Sequence, residues 1–400
     1  MASAEWTTLL GYALCGASAL YAAPAAWLAR RPLRPDQTQA AAAAAARPVS
    51  VLKPLRGAEP RLYDNLATFC RQTHPAYQIV FGLRTADDPA LAVVSRLRAA
   101  FPACDIALVV APEVHGPNLK ISNLINMLPQ ARHDWLVLAD SDIAVAPDYL
   151  ARVTAPLADP GTGVVTCLYR GRALAGWWSR LGAQFIDEWF APSVRIAHAA
   201  GSRRFAFGAT IALRRDTLDA IGGFAALSGR LADDFWLGEL SRRRGLATLL
   251  SDVVVSTDVA ESSLGALWAH EARWLRTIRS LNPAGFSFLF ITFTWPVALL
   301  GLLLAPRPAV FAAALAGLLA RSALAGSAAA ALRAPLRDLL LLAVWAAALF
   351  GSRVSWRGQI LSLKDSFPDA AMPARTAAGT AATTTPRPSS GGDMTPQRTL

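Results

Sequence analysis

An α/β domain with a mostly parallel sheet, tied to a membrane, is the fold class this sequence predicts, and three observations carry it. Short β-rich apolar runs alternate with amphipathic segments from Val49 to Ile143, the βαβα order that yields parallel strands and right-handed crossovers. Hydrophobic residues make up 54% of the 400, yet the formal net charge is +11, a combination that suits association with a membrane. Thr7 to Leu28 carries no charge and is followed at once by Arg30, Arg31 and Arg34, a run long enough to cross a bilayer with its positive flank on the cytoplasmic side.

That first run is expected to be an anchor. A cleaved signal peptide is the rival reading, but no Lys or Arg precedes the run and it is long for one. Gln37 to Ala46 is an alanine-rich linker. The strands that follow are Val49–Leu52, broken by Lys53, Pro54, Leu55, Arg56 and Gly57, then 77–83, 105–110 and 136–143. Helices are expected over 61–71, 89–100 and 119–128.

The strand Leu136–Ile143, LVLADSDI, organises the rest. Its apolar run stops at Asp140, Ser141 and Asp142, and ligands in open α/β sheets gather at the carboxyl ends of strands. With a period of two, both carboxylates point the same way and make a hard-oxygen cradle for Mg²⁺ or Mn²⁺. A polar turn after a strand has the same composition. Lys53 and the pair Asp87 and Asp88 fall at strand ends on the same edge, and Lys120 opens a helix where an ammonium and backbone N–H groups can both meet phosphate.

Further on, 163–168 reads as a strand and 176–199 as one helix bearing Trp177, Trp178, Phe185, Trp189 and Phe190, a set that serves core packing or, beside a membrane, an interfacial belt or lipid-tail groove. Phe205–Leu213 is strand-like, and its Gly208 and Ala209 let a sugar ring lie close to the backbone. Asp233 and Asp234 open a helix ending near Arg244, where acids also serve as ordinary dipole complements. Ser262 to Leu281 is an amphipathic helix expected to lie flat on the membrane, with Leu264, Leu267, Trp268, Leu275 and Ile278 on one face. It places His270, Arg273 and Trp274 on one side, Arg suited to bidentate phosphate contact and Trp to sugar or lipid stacking.

Apolar spans at 286–305, 309–331 and 337–351 come next, separated by Arg307 and by Arg333 and Arg337. Three full crossings would put the C-terminus outside, whereas Arg353, Arg357 and Lys364 favour inside, so one span is expected to be re-entrant or interfacial. The chain thus divides into an anchor (7–29), a linker (30–46), the sheet domain (47–260), an interfacial helix (261–285), membrane-embedded helices (286–352) and a basic segment with a disordered tail (353–400). Its basic residues are not gathered with interleaved aromatics, which argues against nucleic acid and for an anionic lipid surface and a phosphorylated substrate. Cys15, Cys70, Cys104 and Cys167 have neither paired nor metal-ligand spacing.

Taken in order, LKPLRG from Leu52, ADDPA from Ala86, NLKISNL from Asn118, ADSDI from Ala139, ADDFWLG from Ala232 and HEARW from His270 resemble the membrane glycosyltransferases of the ceramide glucosyltransferase type. The bacterial hopanoid-associated members are the most similar. The resemblance covers 47–280, the anchor and the C-terminal apolar spans. It implies a GT-A (Rossmann-like) glycosyltransferase domain on the cytoplasmic face of a bacterial inner membrane, held by a transmembrane anchor and C-terminal membrane helices. Carried over by position, Lys53, Pro54, Asp88 and Lys120 match nucleotide contacts, and Asp140 the aspartate near the diphosphate and metal. Asp234 matches the catalytic base, with Asp233 as fallback, and Arg273 with Trp274 the signature after it. His270 stands where Gln or Arg is common, and the second acid, Asp142, is absent from the ceramide enzymes, so its metal role rests on spacing alone.

The expected reaction is inverting transfer of one sugar from a UDP-sugar to a membrane lipid hydroxyl, with a divalent cation at Asp140 and Asp142. N-acetylglucosamine and a polyhydroxylated hopanoid are the first expectation. Glucose and ceramide are the second, and a non-catalytic nucleotide-sugar-binding scaffold is the alternative from another class.

Overall fold

In the computed structural model, which describes residues 2–33, 47–351, 353–356 and 359–362, eight strands share one mixed sheet. They are β1 (Val49–Pro54), β2 (Tyr77–Leu83), β3 (Asp105–Val110), β4 (Trp135–Ala139), β5 (Ile143–Ala144), β6 (Thr162–Ala173), β7 (Thr210–Arg214) and β8 (Ala247–Val259). Their order is β3-β2-β1-β4-β7-β6-β8-β5. The helices of the sheet domain are α2 (Leu62–Phe69), α3 (Ala90–Ala100), α4 (Leu119–Met127), α5 (Tyr149–Thr154), α6 (Gly176–Phe185), α7 (Ala191–Ala199), α8 (Arg215–Ala220) and α9 (Asp233–Arg242), after an N-terminal α1 (Ala2–Ala29).

Strand alternation sorts the core into two layers. Val49 and Val51 face α2 and α3 through Leu62, Leu66, Phe69, Val94 and Leu97, while Leu52, Leu136 and Leu138 face α4 through Ile121 and Leu124. β1 pairs in parallel with both β2 and β4, and β2 with β3. The βαβα reading therefore holds over 49–139, while the strand expected over 136–143 ends at Ala139 and Ile143 falls in β5, which runs antiparallel to β8.

The second half departs from the expectation. β7 runs antiparallel to both β4 and β6, and β8 was not expected at all. Its thirteen residues mix Ser251, Asp252, Thr257 and Asp258 with the apolar ones, and its pairing with β6 is interrupted by two register shifts, so the period-two signal is blurred. The strand expected over 205–213 begins only at Thr210. The helix expected over 176–199 is divided by a π-turn at Ile186–Phe190, which rotates α7 relative to α6. Phe185, Trp189 and Phe190 are buried core residues, and of this set Trp177 is exposed, so the aromatic stripe packs the protein rather than forming a belt.

Beyond the sheet lie α10 (Leu264–Leu281), α11 (Pro283–Ser287), α12 (Thr294–Leu304), α13 (Pro308–Ala323) and α14 (Ala328–Ala348), then a hairpin of β9 (Arg353–Trp356) and β10 (Gln359–Ser362). Among the described residues, α1 alone is long and apolar enough to cross a membrane, over Glu5–Ala29. The span expected at 286–305 is broken into α11, a 3₁₀ turn at Leu289–Thr292 and α12. α13 has 16 residues, about 24 Å against a hydrocarbon core of about 30 Å.

Arg333 and Arg337 are not loop residues between spans, because both sit inside α14 with Asp338. Leu303, Phe311, Leu319 and Leu332 are more than half exposed, as are Trp6 and Leu20 of α1, leaving an apolar surface on this side. α10 begins at a Ser263 cap that accepts from the Ala266 N–H at 3.2 Å. It does not lie with one free apolar face: Leu267, Glu271, Ala272 and Leu275 are buried in the protein, while Leu264 is exposed. Arg34, Arg357, Lys364, most of the linker and the tail beyond Phe367 lie outside the described residues.

Candidate active site

Sheet register brings distant acids together. Ala139, the last residue of β4, pairs with Thr210, the first of antiparallel β7, so the residues before β7 rise beside those after β4. Gly208 lies there. A Cβ built on it would stand 3.4 Å from each of Asp140 Oδ2, Asp234 Oδ2 and Lys120 Nζ, so three side chains from three parts of the chain surround one point. Gly208 donates its N–H to Asp234 Oδ2 at 2.9 Å, and the Phe235 N–H reaches Asp234 Oδ1 at 2.8 Å. Lys120 Nζ is 2.7 Å from Asp140 Oδ1 and 3.8 Å from Asp233 Oδ2.

Asn118 fixes the two helix starts against each other. Its Oδ1 caps α4 by accepting from the Ile121 N–H at 3.1 Å, while its Nδ2 donates to the Arg230 carbonyl at 2.9 Å and to Asp233 Oδ1 at 3.2 Å. Neither Asn118 nor Gly208 was singled out for this role from sequence, since each contact spans loops that only the fold makes adjacent.

Lys53 and Asp142 form a second group. By strand parity Lys53 falls on the α2 face of β1, where it is fully buried. Its Nζ lies 3.6 Å from the centre of the Phe69 ring and donates to the Asp140 carbonyl oxygen at 2.6 Å. This ammonium props the turn after β4 from beneath. The Asp142 side chain makes its hydrogen bond to a different partner from that of Asp140, because β4 ends at Ala139 and a turn follows. Asp142 Oδ2 accepts from the Thr257 hydroxyl at 3.1 Å, and neighbouring Ser141 donates to Glu59 at 2.9 Å. Asp88 accepts the Gly57 N–H at 3.0 Å and the Ala90 N–H at 2.9 Å, so it ties the loop that leaves β1 at Pro54 and contains Gly57 to the start of α3.

His270, Arg273 and Trp274 approach from α10. His270 Nδ1 pairs with Glu261 Oε1, and the Trp274 ring meets Phe185 at 5.4 Å, Phe190 at 5.3 Å and Tyr169 at 6.1 Å. Tyr169 joins this aromatic wall to the acids: burial, then the charges of Asp234, Asp140 and Asp142, raise its hydroxyl well above the ordinary range, and Arg273 opposes them. Arg273 thus acts electrostatically on the same neighbourhood.

The electrostatics follow from gathering four partly buried acids with two ammonium groups. Burial first, then the Asp233 charge, pushes the Asp234 carboxyl up to about 6, with Lys120 opposing. Burial would lower Lys120, but Asp140, Asp233 and Asp234 outweigh it and raise it. Burial lowers Lys53 to about 7 despite Asp140 and Asp142. Burial, Asp140 and Glu59 raise Asp142 to about 7.

A carboxyl raised from 3.8 to about 7 in the fold costs stability above pH 7, and the cost disappears as pH falls toward the unfolded value. Asp142→Asn is therefore expected to melt higher than the parent at pH 8, by about 3 °C or more, and to match it near pH 4. Thermal melts across that range check it. An unchanged difference at both pH values would contradict the assignment.

Known proteins resemble this chain in two ways. Ceramide glucosyltransferase 3 of Caenorhabditis elegans is 25% identical over 239 residues, 59% of this chain and 51% of that protein. The ceramide glucosyltransferase of Gibberella zeae is 33% identical over 115 residues, 26% of this chain and 22% of that protein. The chain spans about half the length, or less, of these curated relatives. A mannosyltransferase from Pyrobaculum calidifontis, solved with GDP-Man and Mn²⁺, superposes with a TM-score of 0.52 at 22% identity, over 87% of this chain and 99% of that one. That likeness is one of fold, and it agrees with the GT-A expectation. The profile of glycosyl transferase family 21 matches residues 10–366, and the chain belongs to that family.

Proposed function

We propose that this chain transfers one sugar, with inversion, from a UDP-sugar to the hydroxyl of a membrane lipid of the ceramide type. The observation that carries the reading is the meeting of Asp140, Lys120 and Asp234 within 3.4 Å of one point beside Gly208, at the carboxyl edge of the parallel strands. The named relatives are ceramide glucosyltransferases, which favours glucose and ceramide over the N-acetylglucosamine and hopanoid that the sequence motifs put first.

In this reading Asp234 takes the acceptor proton as the hydroxyl oxygen attacks the anomeric carbon. The bond from that carbon to the diphosphate breaks, and the nucleoside diphosphate leaves with the electron pair. The backbone N–H groups of Gly208 and Phe235 aim the Asp234 carboxylate, and each oxygen keeps a lone pair for the proton. Arg273 faces the leaving diphosphate, and Lys53 holds the Asp140 turn in register. Pro54 and Asp88 shape the loop that meets the nucleotide.

Among the described residues no three acidic, His or Cys side chains enclose a metal by themselves. Asp140 and Asp142 nonetheless fit a Mg²⁺ or Mn²⁺ ion whose remaining ligands are phosphate oxygens and water, and Asp142 is an under-compensated acid that burial raises to about 7. When bound, such an ion supplies charge neutralisation at the diphosphate. α1 provides the membrane anchor, and Arg30 and Arg31 at its end favour the cytoplasmic side for the catalytic domain.

Membranes bearing the protein, given UDP-[³H]glucose with ceramide or UDP-[³H]GlcNAc with hopanoid, test the reading by which lipid is labelled. Label on ceramide is the expected result; label on hopanoid restores the first expectation, and no label with any pairing supports the scaffold. EDTA is expected to abolish transfer and Mn²⁺ or Mg²⁺ to restore it, whereas indifference to EDTA removes the cation.

A further inference from the structure

The strongest charges outside the acid cluster are buried where the C-terminal helices meet the sheet domain. Arg337 of α14 and Glu271 of α10 are each only 2% exposed. They form a two-pronged pair, Nη1 to Oε1 at 2.7 Å and Nη2 to Oε2, and Arg337 also donates to the Leu181 carbonyl at 3.3 Å. One residue on, Asp338 accepts three bonds from Arg321 of α13, at 3.0, 3.2 and 2.9 Å, and Arg321 reaches Glu188 of the π-turn at 2.7 Å. One turn earlier, Arg333 donates to Gln184 at 3.2 Å, and Gln184 donates to Glu188 at 2.8 Å.

This arrangement is a poor way to glue helices together. Removing ions from water costs about as much as their attraction returns, and apolar residues of similar volume usually hold such an interface as well or better. A forked Arg–carboxylate pair does something apolar packing does not: it fixes direction and register.

What it fixes is the catalytic helix. Glu271 lies between His270 and Arg273 and one turn before Trp274, and it lines the same narrow crevice as His270, Trp274, Phe185 and Glu261. The second leg ends on the opposite wall. Gln184 is next to Phe185, and Glu188 shares the π-turn with Phe190, the two rings packed against Trp274. Both sides of the Trp274 pocket are thus held from α13 and α14.

We propose that Arg337 is a positioning residue of the transfer reaction: by gripping Glu271 from α14 it sets the rotation of α10 that aims Arg273 and Trp274 at the acid cluster. The C-terminal helices are then part of the catalytic apparatus as well as its attachment. The inference rests on the transferase reading above.

Three full-length variants decide it: Arg337→Met alone, Glu271→Leu with Arg337→Met, and the exchanged pair Glu271→Arg with Arg337→Glu. The single change strands a buried carboxylate and is expected to lower the melting temperature. The apolar pair is expected to melt at or above the parent and to bind UDP within about two-fold, yet to lose at least about ten-fold in kcat, as expected when reacting groups are misplaced by a fraction of an ångström or more. The exchanged pair is expected to recover kcat to within about three-fold. Parent-like kcat in the apolar pair overturns the proposal, and so does a parallel loss of UDP binding and melting temperature. Should the parent itself label no lipid, the transferase reading fails separately. The grip on α10 is then decided by amide exchange, expected to quicken over 264–281 and not over 49–139 in the apolar pair; unchanged exchange over 264–281 overturns it.

Discussion

Asp234→Asn is expected to reduce sugar transfer on the order of 10³-fold while UDP binding stays within about two-fold of the parent. The reason is local. Asp234 sits at the start of α9, its two oxygens fixed by the N–H groups of Gly208 and Phe235 at 2.9 and 2.8 Å. Asn keeps the shape and one acceptor oxygen but loses the capacity to take a proton. In the parent, a base raised to about 6 by burial and by Asp233 must be ionised to act, so kcat/KM should rise with pH through an apparent value near 6. That value belongs to the coupled pair Asp233 and Asp234. Steady-state rates from pH 5 to 8, with UDP affinity measured alongside, provide the check. Turnover unchanged in Asp234→Asn would take the base role away from this residue and leave Asp233 as the next candidate.

Lys120→Met should have the second largest effect, about 10²-fold in kcat/KM at pH 7, with a displaced pH profile. Its ammonium is the partner of Asp140 at 2.7 Å and approaches Asp233 at 3.8 Å, and its charge lowers Asp234. Without it, the carboxylates of Asp140, Asp233 and Asp234 are left together with no ammonium between them. Asp233 and Asp234, which its charge lowers, then hold their protons to higher pH, so the acid limb of the profile moves upward by about one unit.

The stability consequence has the same sign. These acids become more costly once ionised, so Lys120→Met should be most destabilised above pH 7 and should recover as pH falls and the carboxylates protonate. Melting curves at pH 5 and 8 together with the rate profile measure both. A variant that is slow but keeps the parent's pH profile would mean that Lys120 does not govern the protonation of the cluster.

The division between what sequence and tertiary structure decided follows from the range of the forces involved. Alternating apolar residues in Val49–Ala139 are a local signal, so the four parallel strands, the helices between them and the apolar α1 were legible from the chain alone. So was the ordered set of motifs that marks the family. Asp140, Asp234 and Lys120 could be named from those motifs, but their meeting depends on β7 running antiparallel to β4, with Ala139 opposite Thr210.

Lys53 illustrates the limit. Its identity and position were plain, but strand parity and the Phe69 ring turn its ammonium inward to the Asp140 carbonyl. Arg333 and Arg337 read as punctuation between membrane spans, because charge in an apolar stretch is locally unfavourable, and Asp338 gave no signal of its own. Only the packed structure supplies Gln184, Glu271 and Arg321 as partners, and those partners come from segments far away in the sequence.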